Sequence, residues 1–551
     1  MARKQAPPAP GVGRGRQRTP LLWAVLGALP PLFLDAVGSA SALRGSADVY
    51  DAGVALTLAR FSNLTILPYR DLWTLYGPGL PYFGHLAFVI GGPTVTALKL
   101  EQLLVHAAMI VGLYLLLRRF LPWWFASVLS AVPATLTPVI THYAHALVFV
   151  VWGLWFILRS EDDGKRSTRR LATGACLLGF SFLGRYEFAA VAIGSVILLW
   201  WYLRPRLGRS ASRSILALGL APPLLFLVYV FAVVGVERAW LNLVEYPIRF
   251  YPLPYCRGIG TPWGAALGGL FAPFQGRWWT AFDVMLGGAT YIAPLAGVLS
   301  VTVGVRRWRG RGIRGSVALL AGLLTLFLWT SMRARSGTSP QAVWPMLLLA
   351  VGATLEAARR HLPRLITSAA LTLIVIVAGT IVTSWWPGAR SSLSGWPSPD
   401  PRFGVSAPPE GLYDRLTWTQ VERTVHRFAS EGEPIYVTLT RNSGTYANAP
   451  MFYWYVDRPP ASRFIEYSPC LTDTDRVQRQ IVDDLAETRV VIATTFFQSF
   501  PPPFPRRATV LDDYLADHFR AVLDLGLPAD PEEYRVQVLV RVEATTPGER
   551  P

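Results

Sequence analysis

The sequence has little charge for its length. Only 16% of its 551 residues are Asp, Glu, Lys or Arg, whereas a soluble globular protein carries about a quarter. Hydrophobic residues make up 52% of the chain, and the mean hydropathy is +0.33. This balance excludes an ordinary soluble enzyme and indicates a chain built for a lipid environment.

Patterns for metal or nucleotide binding are also scarce. The three cysteines, Cys176, Cys256 and Cys470, show no metal-ligand spacing. Cys256 and Cys470 should both face the oxidising side of the membrane, where either a bridge or two separate thiols is compatible with the sequence. His142 and His145 are three residues apart without a nearby carboxylate, so we predict no metal site. No Gly-rich phosphate loop opens a helix in the C-terminal part, and we expect no cofactor.

Long hydrophobic runs are abundant. A run of about 20 apolar residues can cross a hydrocarbon core roughly 30 Å thick. We predict an α-helical polytopic membrane protein with eleven spans: 20–38, 94–117, 122–141, 144–158, 171–183, 188–203, 214–235, 284–305, 315–331, 341–358 and 364–384.

Basic residues collect in alternate loops between these spans. The basic segments are the N-terminal tail, Arg118–Arg119, Arg159–Arg170, Arg204–Arg213, Arg306–Arg314 and Ala358–Arg364. This positive-inside pattern places the N-terminus in the cytoplasm. The loops 39–93, 236–283 and 332–340, and everything after the last span, are then extracytoplasmic. The net charge of +17 therefore indicates topology and not a nucleic-acid partner.

Composition divides the chain into four parts. We predict a disordered tail over 1–20, a transmembrane domain over 21–385, a Pro/Gly/Ser-rich linker over 386–410 and a small extracytoplasmic α/β domain over 411–551. The expected strands are Pro434–Thr440, Arg489–Phe496 and Tyr534–Val542, and the expected helices are 416–430, 473–487 and 508–524.

The first outer loop carries the acidic residues that suggest chemistry. From Asp51 to Arg60 the apolar spacing predicts a short helix on the membrane surface. A carboxylate at a helix N-terminus is stabilised in its ionised form, which suits a general base. The competing interpretation is that Asp48, Asp51 and Asp71 are solvated loop residues. The loop tyrosines would then anchor the chain at the interface.

The order of short motifs in this loop resembles a known family. "DAG" at Asp51–Gly53, Ala59–Arg60, "PYRD" at Pro68–Asp71 and "YGPGLPY" at Tyr76–Tyr82 resemble the first extracytoplasmic loop of the GT-C superfamily of integral-membrane glycosyltransferases. The nearest resemblance is to bacterial proteins similar to lipid A aminoarabinose transferase and protein O-mannosyltransferase.

The resemblance implies particular roles. Asp51 would be the catalytic base and Asp71 a second acid of the pocket, with Asp48 as the alternative base. The chain departs from the family pattern at Ala52, where an acid is usual, and at Asn63, where glycine is usual.

The resemblance also implies a donor and an acceptor. GT-C enzymes take a sugar from a polyprenyl-phosphate carrier, so cations must neutralise the departing phosphate. The candidates for binding the donor phosphate are Arg185, Arg333, Arg249 and Lys99. Arg70, Arg257 and Arg335 are further candidates on that side, and for Arg70 and Arg257 the interpretation as snorkelling interfacial residues is favoured. Tyr76, Tyr82 and Glu187 would line the pocket, although Arg185 and Glu187 would equally suit a structural pair.

The implied activity is inverting transfer of a sugar to a glycan, lipid or protein acceptor of the cell envelope. The Arg, Ala and Pro content suggests a bacterium with a GC-rich genome and hence the inner membrane. One rival is a transporter or flippase, which should have ionisable residues in mid-span; we expect the spans to be mostly free of them. An O-antigen-type polymerase or ligase is the second rival, and a noncatalytic scaffold the third.

Overall fold

A computed structural model of the chain describes most of the transmembrane and C-terminal parts. The described residues are 21–44, 50–63, 65–74, 76–136, 142–162, 167–205, 208–250, 292–309, 313–334, 343–358, 400–404, 406, 415–440, 448–467, 471–495, 509–527 and 530–542. The predicted tail, the last predicted span at 364–384 and most of the predicted linker lie outside them.

The first part of the chain is helical. Its helices are α1 (Leu21–Arg44), α2 (Asp51–Phe61), α3 (Gly79–Gly91), α4 (Val95–Leu117), α5 (Trp123–Leu136), α6 (His142–Arg159), α7 (Ser167–Phe180), α8 (Phe188–Leu203), α9 (Arg209–Tyr229), α10 (Val236–Trp240), α11 (Ala293–Arg309), α12 (Ile313–Ala334) and α13 (Trp344–Ala358). Two π-helical segments, Val230–Val234 and Leu241–Phe250, flank α10.

Several of these helices have the length and composition of membrane spans. Among the described residues, three are long and apolar enough to cross a membrane: Val95–Leu117, Arg209–Val234 and Ile313–Thr330. Shorter apolar helices cover Val25–Ala36, Gly79–Gly91, Trp123–Ala134, Tyr143–Arg159, Phe188–Leu203 and Trp344–Ala358. The chain is thus mostly helical with apolar helices, while the number of eleven spans stays a prediction.

Apolar side chains point outward from this bundle. Leu225 on α9, Ile90 on α3 and Leu104 on α4 are 67%, 78% and 71% exposed, which is costly in water and favourable in lipid.

Inside the bundle, helices approach closely at glycines: a Cβ on Gly174 of α7 would lie 2.7 Å from the Gly153 carbonyl oxygen of α6. Such small-residue contacts are typical of helix pairs within membranes.

The C-terminal part contains a four-stranded sheet. Its strands are β1 (Tyr436–Leu439), β2 (Val490–Thr495), β3 (Phe519–Leu527) and β4 (Asp530–Arg541), in the order β1-β2-β4-β3. The first pair is parallel and the other two pairs are antiparallel. Four helices accompany the sheet: α14 (Arg415–Phe428), α15 (Met451–Tyr455), α16 (Asp475–Asp484) and α17 (Val510–His518).

Most of the expected C-terminal elements are present, with one error. The strands predicted at Pro434–Thr440, Arg489–Phe496 and Tyr534–Val542 correspond to β1, β2 and β4. The predicted helix 508–524 is wrong in its second half: the helix ends at His518, and Phe519 begins β3. Pairing with β4 satisfies the backbone of this segment and overrides its helical apolar spacing.

The sheet region and the first outer loop share one apolar core. Val54, Leu56 and Leu58 of α2 are fully buried in the same cluster as Trp418, Phe452 and Ile492 of the C-terminal part. The expectation that α2 lies on the membrane surface is therefore wrong. Residues Gly53–Ala59 are all buried, because α2 is packed between α3 and α15.

Candidate functional site

The N-terminus of α2 presents the predicted catalytic carboxylate. The helix begins at Asp51, as predicted, and Asp51 is exposed while the residues that follow Ala52 are buried. Glycine at position 53 is required by packing, because a Cβ there would lie 2.4 Å from the backbone nitrogen of Met451. The Thr57 hydroxyl also donates to the Pro450 carbonyl at 2.9 Å. These contacts fix the position of Asp51 relative to the C-terminal part.

A buried tyrosine contacts Asp51 from the other side. The Tyr76 hydroxyl donates to Asp51 Oδ1 at 3.1 Å. Burial raises the pKa of Tyr76 well above its usual value, and the negative charges of Asp51 and Glu466 raise it further. The phenol therefore stays protonated and remains a hydrogen-bond donor to Asp51.

The predicted cation Arg185 lies near the same tyrosine. Its guanidinium carbon is 5.9 Å from the Tyr76 ring centre and 4.6 Å from that of Tyr143. Nη2 of Arg185 donates to Glu187 Oε1 at 2.8 Å, and both side chains are 12% exposed. Burial disfavours the charged form, but Glu187 and its hydrogen bonds keep the pKa of Arg185 well above its ordinary value.

Two glycines hold the Arg185 turn in place. The Gly77 amide donates to the Gly184 carbonyl at 3.0 Å, and a Cβ on Gly77 would lie 2.4 Å from the Leu183 carbonyl oxygen. On the opposite side, a Cβ on Gly184 would lie 2.3 Å from the backbone nitrogen of Ala146 on α6. The turn is thus wedged between the loop that carries Tyr76 and the start of α6.

The C-terminal part supplies an acid that sequence reasoning missed. Glu466 is 3% exposed, and its Oε2 accepts from the hydroxyl of Tyr50, the residue before Asp51, at 3.1 Å. Its charge also acts on Tyr76. The sequence signal is weak, because a single acid between Ile465 and Tyr467 is indistinguishable from a loop residue until the two parts of the chain are packed together.

Asp71, the second predicted acid, has other partners. Arg70 Nη2 lies 2.7 Å from Asp71 Oδ2, and the Leu67 amide donates to the same oxygen at 2.8 Å. Burial opposes ionisation, yet these hydrogen bonds and the charge of Arg70 bring the pKa of Asp71 below its usual value. Its role as a second acid of the pocket stays a prediction, since this arrangement also suits a structural ion pair.

The remaining predicted residues are distributed differently. Lys99 is 4% exposed on α4 and its Nζ lies 3.5 Å from the Leu43 carbonyl, while Tyr82 on α3 is 41% exposed. The backbone of Arg333 belongs to α12 and that of Arg249 to the second π-helical segment, but their side chains are not among the described ones. Asp48, Arg257 and Arg335 lie outside the described residues altogether.

Two buried histidine–carboxylate pairs join the helices. His145 Nε2 lies 2.7 Å from Glu101 Oε1, between α6 and α4, so the expectation that no carboxylate is near His145 is wrong. His106 Nδ1 lies 2.7 Å from Asp35 Oδ1, between α4 and α1. These pairs are exceptions to the expectation that the spans are mostly free of ionisable groups. Among the described residues no three His, Cys, Asp or Glu side chains form a metal-binding group.

Comparison with solved structures gives matches over most of the chain. The chain is similar to the apo oligosaccharyltransferase of Archaeoglobus fulgidus, at 12% identity and a TM-score of 0.48. The match covers 87% of this chain and 70% of that one. A complex of the Archaeoglobus enzyme AglB with an inhibitory peptide and a dolichol-phosphate matches at 12% and 0.47, covering 92% and 80%.

A third match is ArnT from Cupriavidus metallidurans bound to undecaprenyl phosphate, at 11% identity and a TM-score of 0.42, covering 96% of this chain and 99% of that one. These neighbours are GT-C glycosyltransferases, the class that the first loop resembles. No family model and no curated protein matches the chain. At such identities and TM-scores the likeness carries no part of the case for function, which rests on this chain's own residues.

Proposed function

We propose that the chain is a membrane glycosyltransferase that moves a sugar from a polyprenyl-phosphate donor to a cell-envelope acceptor on the extracytoplasmic side. The observation that supports it is the Asp51–Tyr76–Arg185 arrangement. One buried tyrosine contacts an exposed carboxylate through its hydroxyl and a guanidinium through its ring. A base and a cation are what transfer from a phosphate leaving group requires.

Each residue then has a defined part in a single displacement. Asp51 accepts the proton of the acceptor hydroxyl, whose oxygen forms a bond to the anomeric carbon. The bond from that carbon to the phosphate oxygen breaks, its electron pair leaves with the lipid phosphate, and the configuration inverts. Arg185 faces the leaving charge: Nε and Nη2 contact Glu187, while Nη1 makes no hydrogen bond within the described residues and is available to a phosphate oxygen.

Transfer from a radiolabelled polyprenyl-phosphate sugar tests the proposal. Removal of a general base costs about 100-fold or more in rate, so Asp51→Asn should lose transfer while the protein stays folded. Asp524→Asn is the matched control, because Asp524 is a surface acid paired with Arg535 on the β3–β4 hairpin. Unchanged transfer by Asp51→Asn would eliminate this base, and the same assay on Asp48→Asn would then test the alternative.

One observation favours a second candidate, a transporter or lipid flippase. Asp35 and His106 lie near the middle of α1 and α4 and are 4% and 8% exposed, and ionisable residues inside a membrane commonly mark a transport pathway. Under this alternative, Asp35→Asn should abolish translocation of a lipid-linked sugar across vesicles and Asp51→Asn should not. If the protein is a transferase, Asp51→Asn should abolish sugar transfer and Asp35→Asn should not.

A further inference from the structure

Arg463 is a buried guanidinium with few partners. It precedes Phe464 in the C-terminal part and is 7% exposed. Its Nη2 donates to Asn242 Oδ1 at 3.1 Å, whereas its Nε is buried without a hydrogen bond. Within the described part of the chain Arg463 makes no ion pair. Burying a charge without a counter-charge is costly, so this site is suited to an anion that the protein itself does not provide.

A second arginine increases the positive charge at this place. Burial, together with the smaller effect of the Arg238 charge, lowers the pKa of Arg463 to about 10. Arg238 is exposed on α10, and its Nη1 donates to the Arg70 carbonyl at 3.2 Å; it too has no ion pair among the residues that the structure describes. Asn242, the partner of Arg463, donates to the Tyr69 carbonyl, which is adjacent to the Arg70 carbonyl that Arg238 contacts. The two like-charged arginines therefore lie on neighbouring backbone carbonyls, and an anion that reached both would offset the cost of burying Arg463.

The neighbouring acids are bound elsewhere. Asp71 and Asp484 act on Arg463 at a distance and raise its pKa less than burial lowers it. Asp71 pairs with Arg70, and Asp484 accepts from the Ser462 hydroxyl at 2.7 Å. Neither carboxylate comes within ion-pair distance of Arg463.

Arg458 provides an internal comparison. It is also 7% exposed, but both of its terminal nitrogens donate to carbonyls, Nη1 to Asp457 at 3.0 Å and Nη2 to Ala429 at 3.3 Å. Nε is buried without a hydrogen bond in both arginines, so they differ at the terminal nitrogens: both of those on Arg458 donate to backbone oxygens, whereas on Arg463 only Nη2 has a partner within the described residues, the Asn242 side chain.

We propose that Arg463 and Arg238 bind a phosphate group, with Asn242 holding Arg463 in position. Arginine pairs bind phosphate through parallel N–H···O bonds. Asn242 Nδ2 in turn donates to the Tyr69 carbonyl at 3.3 Å, and the Tyr69 hydroxyl donates to the Tyr76 carbonyl at 2.5 Å. The anion site is thereby connected to the tyrosine that holds Asp51. The phosphate belongs either to a lipid or to a soluble molecule.

Binding measurements on the full chain in detergent test this site. The probes are a polyprenyl monophosphate, the corresponding polyprenol and inorganic phosphate, with affinity read from ligand-induced stabilisation against heat. Arg463→Lys, which keeps the charge but loses the planar fork, should weaken phosphate binding about tenfold or more. Arg458→Lys should bind as the wild type does. If Arg463→Lys weakens binding of the polyprenyl monophosphate but not of inorganic phosphate, the phosphate group belongs to a lipid. If it weakens binding of inorganic phosphate, the phosphate group belongs to a soluble molecule.

Equal binding by the wild type and a folded Arg463→Lys variant would overturn the inference. If Arg463→Lys does not fold, Arg238→Gln replaces it, because Arg238 is exposed on a short helix and its substitution leaves the core intact. Unchanged binding by that variant would equally reject the site. The measurement needs no sugar transfer, so its outcome is independent of the proposed activity.

Discussion

At the scale of single residues, Tyr76 is the side chain that contacts both the candidate base and the candidate cation. Its hydroxyl contacts Asp51 and its ring faces Arg185, while burial fixes its position. A hydrogen bond to a charged group contributes about 1.5–3 kcal/mol. Under the proposed function, Tyr76 would position Asp51, and its raised pKa keeps the phenol protonated.

We predict that Tyr76→Phe lowers kcat of sugar transfer about tenfold with little change in KM. The ring and its packing remain, but Asp51 loses the donor that orients it. Steady-state kinetics with a radiolabelled donor give both constants. Tyr514→Phe is the matched control, since the Tyr514 hydroxyl on α17 is likewise hydrogen-bonded to a charged side chain, with Arg541 Nη2 at 2.9 Å. A rise in KM alone would show that the hydroxyl serves substrate binding and not the base.

Asp71 leads to a prediction about pH and stability. Its pKa is lowered in the folded chain through Arg70 and the Leu67 amide, against the opposing effect of burial. The stabilisation is therefore present above the pKa of an unfolded Asp, about 3.9, and is lost as the pH falls through the lower folded value. Because a third of the side chain is exposed, the contribution should stay below about 1 kcal/mol.

Thermal unfolding of the wild type and Asp71→Asn in detergent checks this sign. The wild type should be slightly more stable at pH 7, and the two melting temperatures should converge towards pH 3. A difference that persists or grows in acid would show that the Arg70–Asp71 pair is not the source of the stabilisation.

At the scale of elements, the decisive contact is the packing of α2 on α15. The helix is short and would be marginal alone in water, and it is stable here because seven consecutive residues, Gly53–Ala59, are buried. This packing makes Gly53 a structural requirement and not only part of a motif.

We predict that Gly53→Ala destabilises the protein by about 1–3 kcal/mol and lowers transfer activity. The added Cβ would lie 2.4 Å from the Met451 nitrogen, so two backbones must move apart, which is the usual cost of overpacking. Gly194→Ala on α8 is the control, because nothing lies within 4 Å of a Cβ there and alanine favours helix. Equal melting temperatures for the two variants would contradict the importance of this contact.

At the scale of the whole molecule, the first outer loop and the C-terminal part form one unit. Asp51 lies beside Tyr50, whose hydroxyl reaches Glu466, and α2 shares a core with the sheet. Both segments must then lie on the same side of the membrane, as the distribution of Lys and Arg predicts.

Reporter fusions test this topology. A reporter that is active only in the cytoplasm should be silent when fused at Gly411 and active when fused at Gly164, in the basic loop between the fourth and fifth predicted spans. Activity at Gly411 would reverse the orientation and would place Asp51 on the cytoplasmic face, away from the proposed acceptors.

The sequence alone determined the features that depend on local pattern. Apolar runs predicted most helices of the bundle, because lipid-facing and core-facing positions are both apolar, but they missed α3, which lies within the predicted outer loop 39–93. Alternation and β-branched residues predicted three of the four strands, and the apolar spacing over Asp51–Arg60 correctly placed the start of a helix at Asp51. In each case the signal lies within a window of about twenty residues, where spacing is sufficient.

Only the tertiary structure decided what depends on distant pairing. The burial of α2, the Tyr50–Glu466 contact and the His145–Glu101 pair each join residues that are remote in sequence. The pairing of Phe519–Leu527 with β4 is a hairpin contact, but it too overrides the helical spacing of its own segment. Arg463 shows the same limit, because nothing in its local sequence distinguishes it from Arg458. The difference arises when packing removes water from both guanidinium groups and provides backbone carbonyl partners for the terminal nitrogens of Arg458, whereas Arg463 Nη2 contacts the side chain of Asn242.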